Sequence, residues 1–312
     1  MKKLNYLLIA ISIFYGSCNS GTTNDKPIDT PTTGHITIGT DETLFPLASS
    51  EVKSFETLCP KANIDIKSGV ESDIYTQLLD DSVRMILVTR EPSKEEFAFF
   101  ENRKMKLRVN NIAKDGVAFI TNNSNPDTIS YENIIKILTG EITTWNQWNS
   151  KLSSKPIQLV FDNANSSTVK HVLTHTQGKL YKNVSALENN QKVIDYIKEN
   201  KYAIGIIGLN WISDGRDRTT GSFYEGFKVM GINPADTSKN HGNYFKPFQA
   251  YLYYNAYPFH RTIYSINAEP REGLGTGFVS FLCSQKGQTV VQQGGLLPMA
   301  QRAWIREIEI KK

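Results

Sequence analysis

From His35 onward, short apolar runs alternate with segments whose apolar residues recur every three or four positions. Residues 36–39 (ITIG) read as a strand. Residues 47–58 place Leu47, Val52, Phe55 and Leu58 at helical spacing, and Pro60 ends that helix. A strand follows at 64–66, a short helix at 74–79 and a strand at 85–89 (MILVT). The pattern continues with a strand at 116–121 (GVAFIT), a helix at 131–138 closed by Gly140, and a strand at 157–161. Further on come a helix at 193–200, a buried strand at 203–209 (AIGIIGL), a strand at 262–266, and helices at 276–283 and 285–295. Strands alternating with helices predict an α/β fold on a largely parallel sheet. Residues 213–246 hold several Gly and Ser and few aliphatics, and read as long loops; no internal repeat is visible.

Composition narrows this picture. At roughly 100–200 residues per domain, a chain of 312 residues suggests two domains. An aromatic content of 11% and a net charge of only +4 exclude disorder over most of it. No stretch reaches the roughly 18 apolar residues of a membrane span, so a multi-pass membrane protein is excluded. Lys and Arg are scattered and offer duplex nucleic acid no basic stripe. Three cysteines are too few for a disulfide scaffold.

The first residues carry their own signal. Lys2 and Lys3 precede an apolar core from Leu4 to Tyr15, too short to span a bilayer but suited to a secretory signal peptide over residues 1–17. Gly16 and Ser17 directly before Cys18 resemble a bacterial lipoprotein cleavage site, which implies that Cys18 becomes the acylated first residue. Residues 18–34 then form a polar tether; sixteen such residues span roughly 22 Å as a coil. Removing the two lysines takes half of the +4 charge away, so net charge says little about ligands.

Three segments put hydroxyl residues where a strand ends and a helix begins: residues 40–43 (TDET), 68–73 (SGVESD) and 163–168 (NANSST). Helix N-termini present unpaired N–H groups and partial positive charge, so such loops either cap the helix or hold an oxyanion. His171 and His175 have a spacing compatible with a metal, but no Glu intervenes, so the zinc-protease pattern fails and no metal or cofactor is expected. Residues 275–277 (GTG) lack a dinucleotide loop's third glycine. No nucleophile elbow or Ser–His–Asp set appears, and an enzyme is not expected. Trp145 and Trp148 read as packing beneath a loop.

Six matches stand in a fixed order and spacing: 39–47 (GTDETLFPL), 66–96 with its VTREPS turn, 115–145 with ILTGEITTW, 162–168 (DNANSST), 203–209 (AIGIIGL), and Tyr257-Pro258 together with 281–299 (FLCSQKGQTVVQQGGLLPM). In that order they resemble the phosphate-binding proteins of bacterial phosphate ABC importers, which are type II periplasmic binding proteins. The resemblance implies a two-lobed α/β fold of mixed sheets flanked by helices, with a ligand cleft between the lobes. One lobe would comprise residues 35–115 and 257–312 and the other 116–256, with chain crossings near 114–116 and 257–261. Both Cys59 and Cys283 would then lie in the first lobe, as separate thiols or as a disulfide.

Carried over position by position, the resemblance implies phosphate contacts from Thr43, the Leu44 N–H and Ser72 on one lobe, and from Ser166, Ser167 and Thr168 on the other. Two positions depart from the family pattern together: Arg90 stands where some members have Asp, and Asp162 where they have Arg. We expect an exchange of charge between lobes, with Arg90 the cationic anchor and Asp162 accepting the proton that phosphate carries and sulfate lacks. The alternative makes Arg90 a solvated loop residue and Asp162 a turn residue. Asp41 and Glu42 complicate an anion loop unless they point away or pair with Arg90; facing the ligand, they put phosphate itself in question. The implied role is a monomeric, lipid-anchored protein outside the cytoplasm that delivers inorganic phosphate to an ABC permease. A sensing or adhesion lipoprotein with the same fold is the rival.

Overall fold

The computed structural model describes residues 29–214 and 222–300. The signal segment, Cys18, most of the tether and residues 301–312 lie outside the described residues.

One mixed sheet organises the chain. Its strands follow the order Lys61–Gly69, Thr33–Asp41, Met85–Val88, His260–Asn267, Arg108–Thr121, Ala203–Gly208, Gln158–Phe161 and Val184–Ala186. Pairing is parallel at both ends, among the first three strands and among the last three. It is antiparallel in the middle, where His260–Asn267 pairs with Met85–Val88 and Arg108–Thr121, and the latter with Ala203–Gly208. The expected largely parallel sheet is therefore corrected to a mixed one. Each parallel end is built from strand–helix units, and the two ends meet where the chain crosses outward and returns.

The outward crossing is a single strand longer than its sequence suggests. Only its second half is continuously apolar, so 116–121 is what periodicity detects; Arg108–Asp115 is rich in polar residues and is held by pairing with His260–Asn267. Partners change at one point: Gly116 is the last residue opposite the return strand, and Val117 the first opposite Ala203–Gly208. A side chain at Gly116 would place its Cβ 2.8 Å from the Pro247 Cβ, so glycine lets the 247–257 segment pack against the crossing.

Helices cover the sheet. Phe45–Leu58 buries Leu47, Ala48, Glu51, Val52 and Phe55 and has Pro46 in its first turn, where a missing N–H costs nothing. Lys94–Asn102, weak in apolar periodicity, is fixed at its start by a reciprocal cap between Ser93 and Glu96. The expected helix at 131–138 is Tyr131–Thr139, ended by Gly140 at φ +83°. A large apolar core runs beneath both halves of the sheet, and a smaller one packs Ile74, Tyr75 and Leu78 against Ile86, Val88, Phe100 and Ile266. Trp145 is buried and its indole N–H donates to the Tyr202 carbonyl at 3.1 Å. Cys59 and Cys283 are free, half-buried thiols. Among the described residues no helix is long and apolar enough to cross a membrane.

Candidate ligand site between the two halves of the sheet

The carboxyl ends of strands from both halves converge on one point. Asp41 ends Thr33–Asp41 and starts a short turn, Glu42–Leu44. Its Oδ1 accepts the Thr43 N–H at 2.9 Å, the Thr43 hydroxyl in a short contact, and the Ser167 hydroxyl at 3.0 Å. Ser167 opens the helix Ser167–His175, whose N-cap Ser166 accepts the Val169 N–H at 3.3 Å. The Thr43 and Ser167 hydroxyl oxygens stand 3.1 Å apart, so the two halves touch here.

Arg261 stands beneath that contact. Its Nε donates to Asp115 Oδ2 at 2.9 Å, Nη1 to Ser167 Oγ at 2.9 Å and Nη2 to Thr43 Oγ1 at 3.0 Å. Each hydroxyl thus accepts from Arg261 and gives its single proton to Asp41. Arg261 and Asp115 face each other across the two crossing strands, and their side chains are 4% and 0% exposed. Burial of a charged pair is tolerated where every charge is paired and hydrogen-bonded.

Beside this cluster opens a cleft of about 130 Å³, lined by Asp41, Glu42, Thr43, Gly69, Val70, Asp162, Asn163, Ser166 and Glu188. It is far smaller than the roughly 300–1,000 Å³ of pockets for drug-sized ligands, and suits a small ion. Four of its nine lining residues are acidic and none is basic. Burial, then the nearby Glu71 charge, pushes the Asp41 carboxyl up to about 6. Burial, then the Asp162 charge, pushes Glu42 up to about 7, and burial raises Asp162 as well. Asn190, fully buried, donates its amide to Glu42 in a short contact and to Asp162 Oδ2 at 3.3 Å.

Of the residues named from sequence, Thr43, Ser166, Ser167 and Asp162 come together here, with Thr168 buried just behind. Leu44 is fully buried and closes its turn without lining the cleft. Ser72 is exposed and its hydroxyl turns to Asp73 at 3.3 Å, while Gly69 and Val70 of the same loop line the cleft instead. Arg90 is not the cluster's cation: both its Nη groups donate to the Glu96 carboxylate at 2.8 Å, and it lies 3.5 Å over the Tyr75 ring. Glu96, brought onto the helix Lys94–Asn102, gives Arg90 a partner six residues away, so the guanidinium stays on its own loop. Arg261 takes the place expected for it. One signal was available in sequence: Arg261 shares the alternation of Ile263 and Ser265, the buried face of its strand. His175 packs against Phe259 and is hydrogen-bonded to Tyr131 at 3.0 Å, and His171 packs against His175; burial holds His171 neutral, its value down at about 3.

This geometry, two α/β halves joined by crossing strands around a small polar cleft, has counterparts among known proteins. Residues 25–286 match the PBP superfamily domain. The chain belongs to the PBP superfamily. Among curated members it is 22% identical over 275 residues to the phosphate-binding protein PstS of Borreliella burgdorferi, covering 84% of this chain and 89% of that protein. A Clostridium perfringens structure with bound phosphate, described as a phosphate ABC transporter substrate-binding protein, superposes with a TM-score of 0.70 at 20% identity, over 85% of this chain and all of that one. An ABC-type phosphate transport receptor from Vibrio cholerae superposes at 0.62 and 16% identity, over 84% of this chain and 99% of that one. At these identities the structural likeness shows a shared PBP fold.

Proposed function

We propose that this PBP-superfamily chain captures inorganic phosphate in the cleft and delivers it to an ABC-type permease, with residues 35–115 and 257–312 forming one lobe and 116–256 the other. Cys18 carries the lipid that holds it to a bacterial membrane, facing away from the cytoplasm. The observation that carries this reading is the Arg261 fork, which reaches a hydroxyl from each half of the sheet, one in a tight turn and one at a helix N-terminus. An oxyanion that takes over the hydroxyl protons now given to Asp41 gains two hydroxyls and helix N–H donors, with the Arg261 guanidinium fixed behind them. The size of the cleft and the phosphate named for several relatives point the same way.

Binding then shifts the population of open and closed arrangements toward the closed one, because only the closed form lets a single ion touch both lobes. No covalent step is needed. Calorimetric titration of the purified protein with phosphate and with sulfate near pH 6 tests this. Phosphate is expected to bind at least about tenfold more tightly, a difference of about 1.4 kcal/mol. Equal affinity for the two ions, or heat from neither across the pH range, overturns it.

A further inference from the structure

The cleft wall poses a charge problem. Asp41, Glu42, Asp162 and Glu188 line it, and Glu71 acts on Asp41 from the start of the neighbouring helix Glu71–Leu79. Against them stand Arg261, already paired with Asp115 across the crossing strands, and Lys192, which is taken up by an ion pair with the exposed Glu188; His171 on the Ser167–His175 helix is held uncharged. A doubly charged oxyanion entering here meets more like charge than opposite charge, in surroundings with little water to screen it.

The arrangement of Glu42, Asn190 and Asp162 supplies a way out. Glu42 belongs to one half of the sheet; Asp162 and Asn190 belong to the other, Asp162 following the strand Gln158–Phe161 and Asn190 opening the helix Asn190–Glu199. The Asn190 amide nitrogen holds both carboxyls. Three polar atoms there are buried without a partner: Asp41 Oδ2, Asp162 Oδ1 and Asn190 Oδ1. Two ionised carboxylates sharing one amide repel each other and can give nothing to Asn190 Oδ1. With one carboxyl protonated the repulsion vanishes and an O–H donor appears among acceptors that lack one.

Resting on the phosphate reading above, we infer that Glu42 determines the protonation state in which the cleft takes its ligand: the Glu42–Asn190–Asp162 clasp closes with one bound proton. The protein therefore takes a monoanion that still carries hydroxyl protons, or takes a dianion together with one proton from solvent. No bond to phosphorus forms or breaks; the proton resides on a clasp carboxyl or on the ligand oxygen facing it. Glu42, pushed up to about 7, and Asp41, pushed up to about 6, accept a proton near neutral pH, and burial raises Asp162 as well.

Calorimetric titration of inorganic phosphate into the whole protein, in two buffers of different ionisation enthalpy and from about pH 5.5 to about 8.5, reads the proton directly. The wild type is expected to take up close to one proton per phosphate above neutrality, with affinity falling about tenfold per pH unit there. Glu42→Gln is expected to still bind phosphate but to lose most of that uptake and flatten the profile. Asn190→Ala, which breaks the clasp without removing a carboxyl, is expected to flatten it too. Proton uptake near zero in the wild type, or a Glu42→Gln variant that keeps the wild-type proton count and slope, overturns the inference while leaving phosphate binding intact. If Glu42→Gln does not fold, the wild-type proton count and the Asn190→Ala profile decide, and an unchanged Asn190→Ala profile overturns it. Absence of phosphate binding at every pH overturns the phosphate reading instead.

Discussion

Arg261 meets three residues from distant parts of the chain, Asp115, Ser167 and Thr43, from a side chain 4% exposed, whereas Arg90 meets only the nearby Glu96 carboxylate and Glu91 carbonyl from a side chain 40% exposed. The contrast separates an arginine that organises a site from one that fastens a loop. A lysine at 261 replaces a planar fork with a point charge and cannot reach all three oxygens in place. Arg261→Lys is therefore expected to weaken phosphate binding by at least about a hundredfold, about 2.7 kcal/mol. Arg261→Ala, which leaves Asp115 buried and unpaired, is expected to destabilise the fold by about 3–5 kcal/mol in urea melts. Arg90→Ala is expected to change phosphate affinity by less than about threefold, under 1 kcal/mol. A loss on Arg90→Ala comparable to that on Arg261→Lys would return the anchor to Arg90.

At the scale of elements, short signals in the chain do most of the placing. Asp41, Ser93, Ser130, Ser166, Asn189 and Ser284 each accept a backbone N–H at the start of a helix or turn, so the hydroxyl-rich segments are helix starts first. Two of those starts, at Asp41 and Ser166, lie at strand ends that face each other, and only these line the cleft. Helix stops are as local. Gly140 takes φ +83°, and a Cβ there would lie 2.4 Å from Tyr181. Gly140→Ala is thus expected to destabilise the protein by about 1–3 kcal/mol, from the left-handed backbone and the overpacking together. A shifted urea midpoint with an unchanged slope is the signature; no shift would mean that Tyr181 moves aside freely.

For the molecule as a whole, the buried acids make stability depend on pH. Glu51 is fully buried in the helix Phe45–Leu58, neither carboxyl oxygen has a partner, and burial pushes it up to about 9. A carboxyl raised on folding binds its proton more tightly folded than unfolded, so its stabilising contribution is complete below its ordinary range and is lost as pH rises toward the folded value. Glu42 loses its share by about pH 7 and Glu51 continues to about pH 9. His171 and His175, lowered by burial, act in the opposite sense, but only as pH falls below the ordinary histidine range. Between about pH 7 and 9 stability is therefore expected to fall by about 1.4 kcal/mol per pH unit. Glu51→Gln should flatten that slope in urea melts followed across pH; a slope that survives the substitution would assign it to another group.

The division between what is local and what is not runs through these three scales. The alternation of apolar runs, the caps and Gly140 are properties of residues within a few positions of one another, so strands, helices and the hydroxyl loops at 40–43 and 163–168 were legible in the sequence alone. The family pattern in six ordered segments added the two-halved architecture. Backbone pairing alone decided that Arg108–Asp115 is a strand, because its polar residues carry no period of their own and its partner lies more than 140 positions away. The same register sets Arg261 opposite Asp115 and brings it to Thr43, 218 residues distant. Which arginine becomes the anchor, and which carboxylates are buried deeply enough to hold a proton, depend on desolvation and on partners supplied from the far side of the cleft. Those quantities exist only once the two halves are in contact.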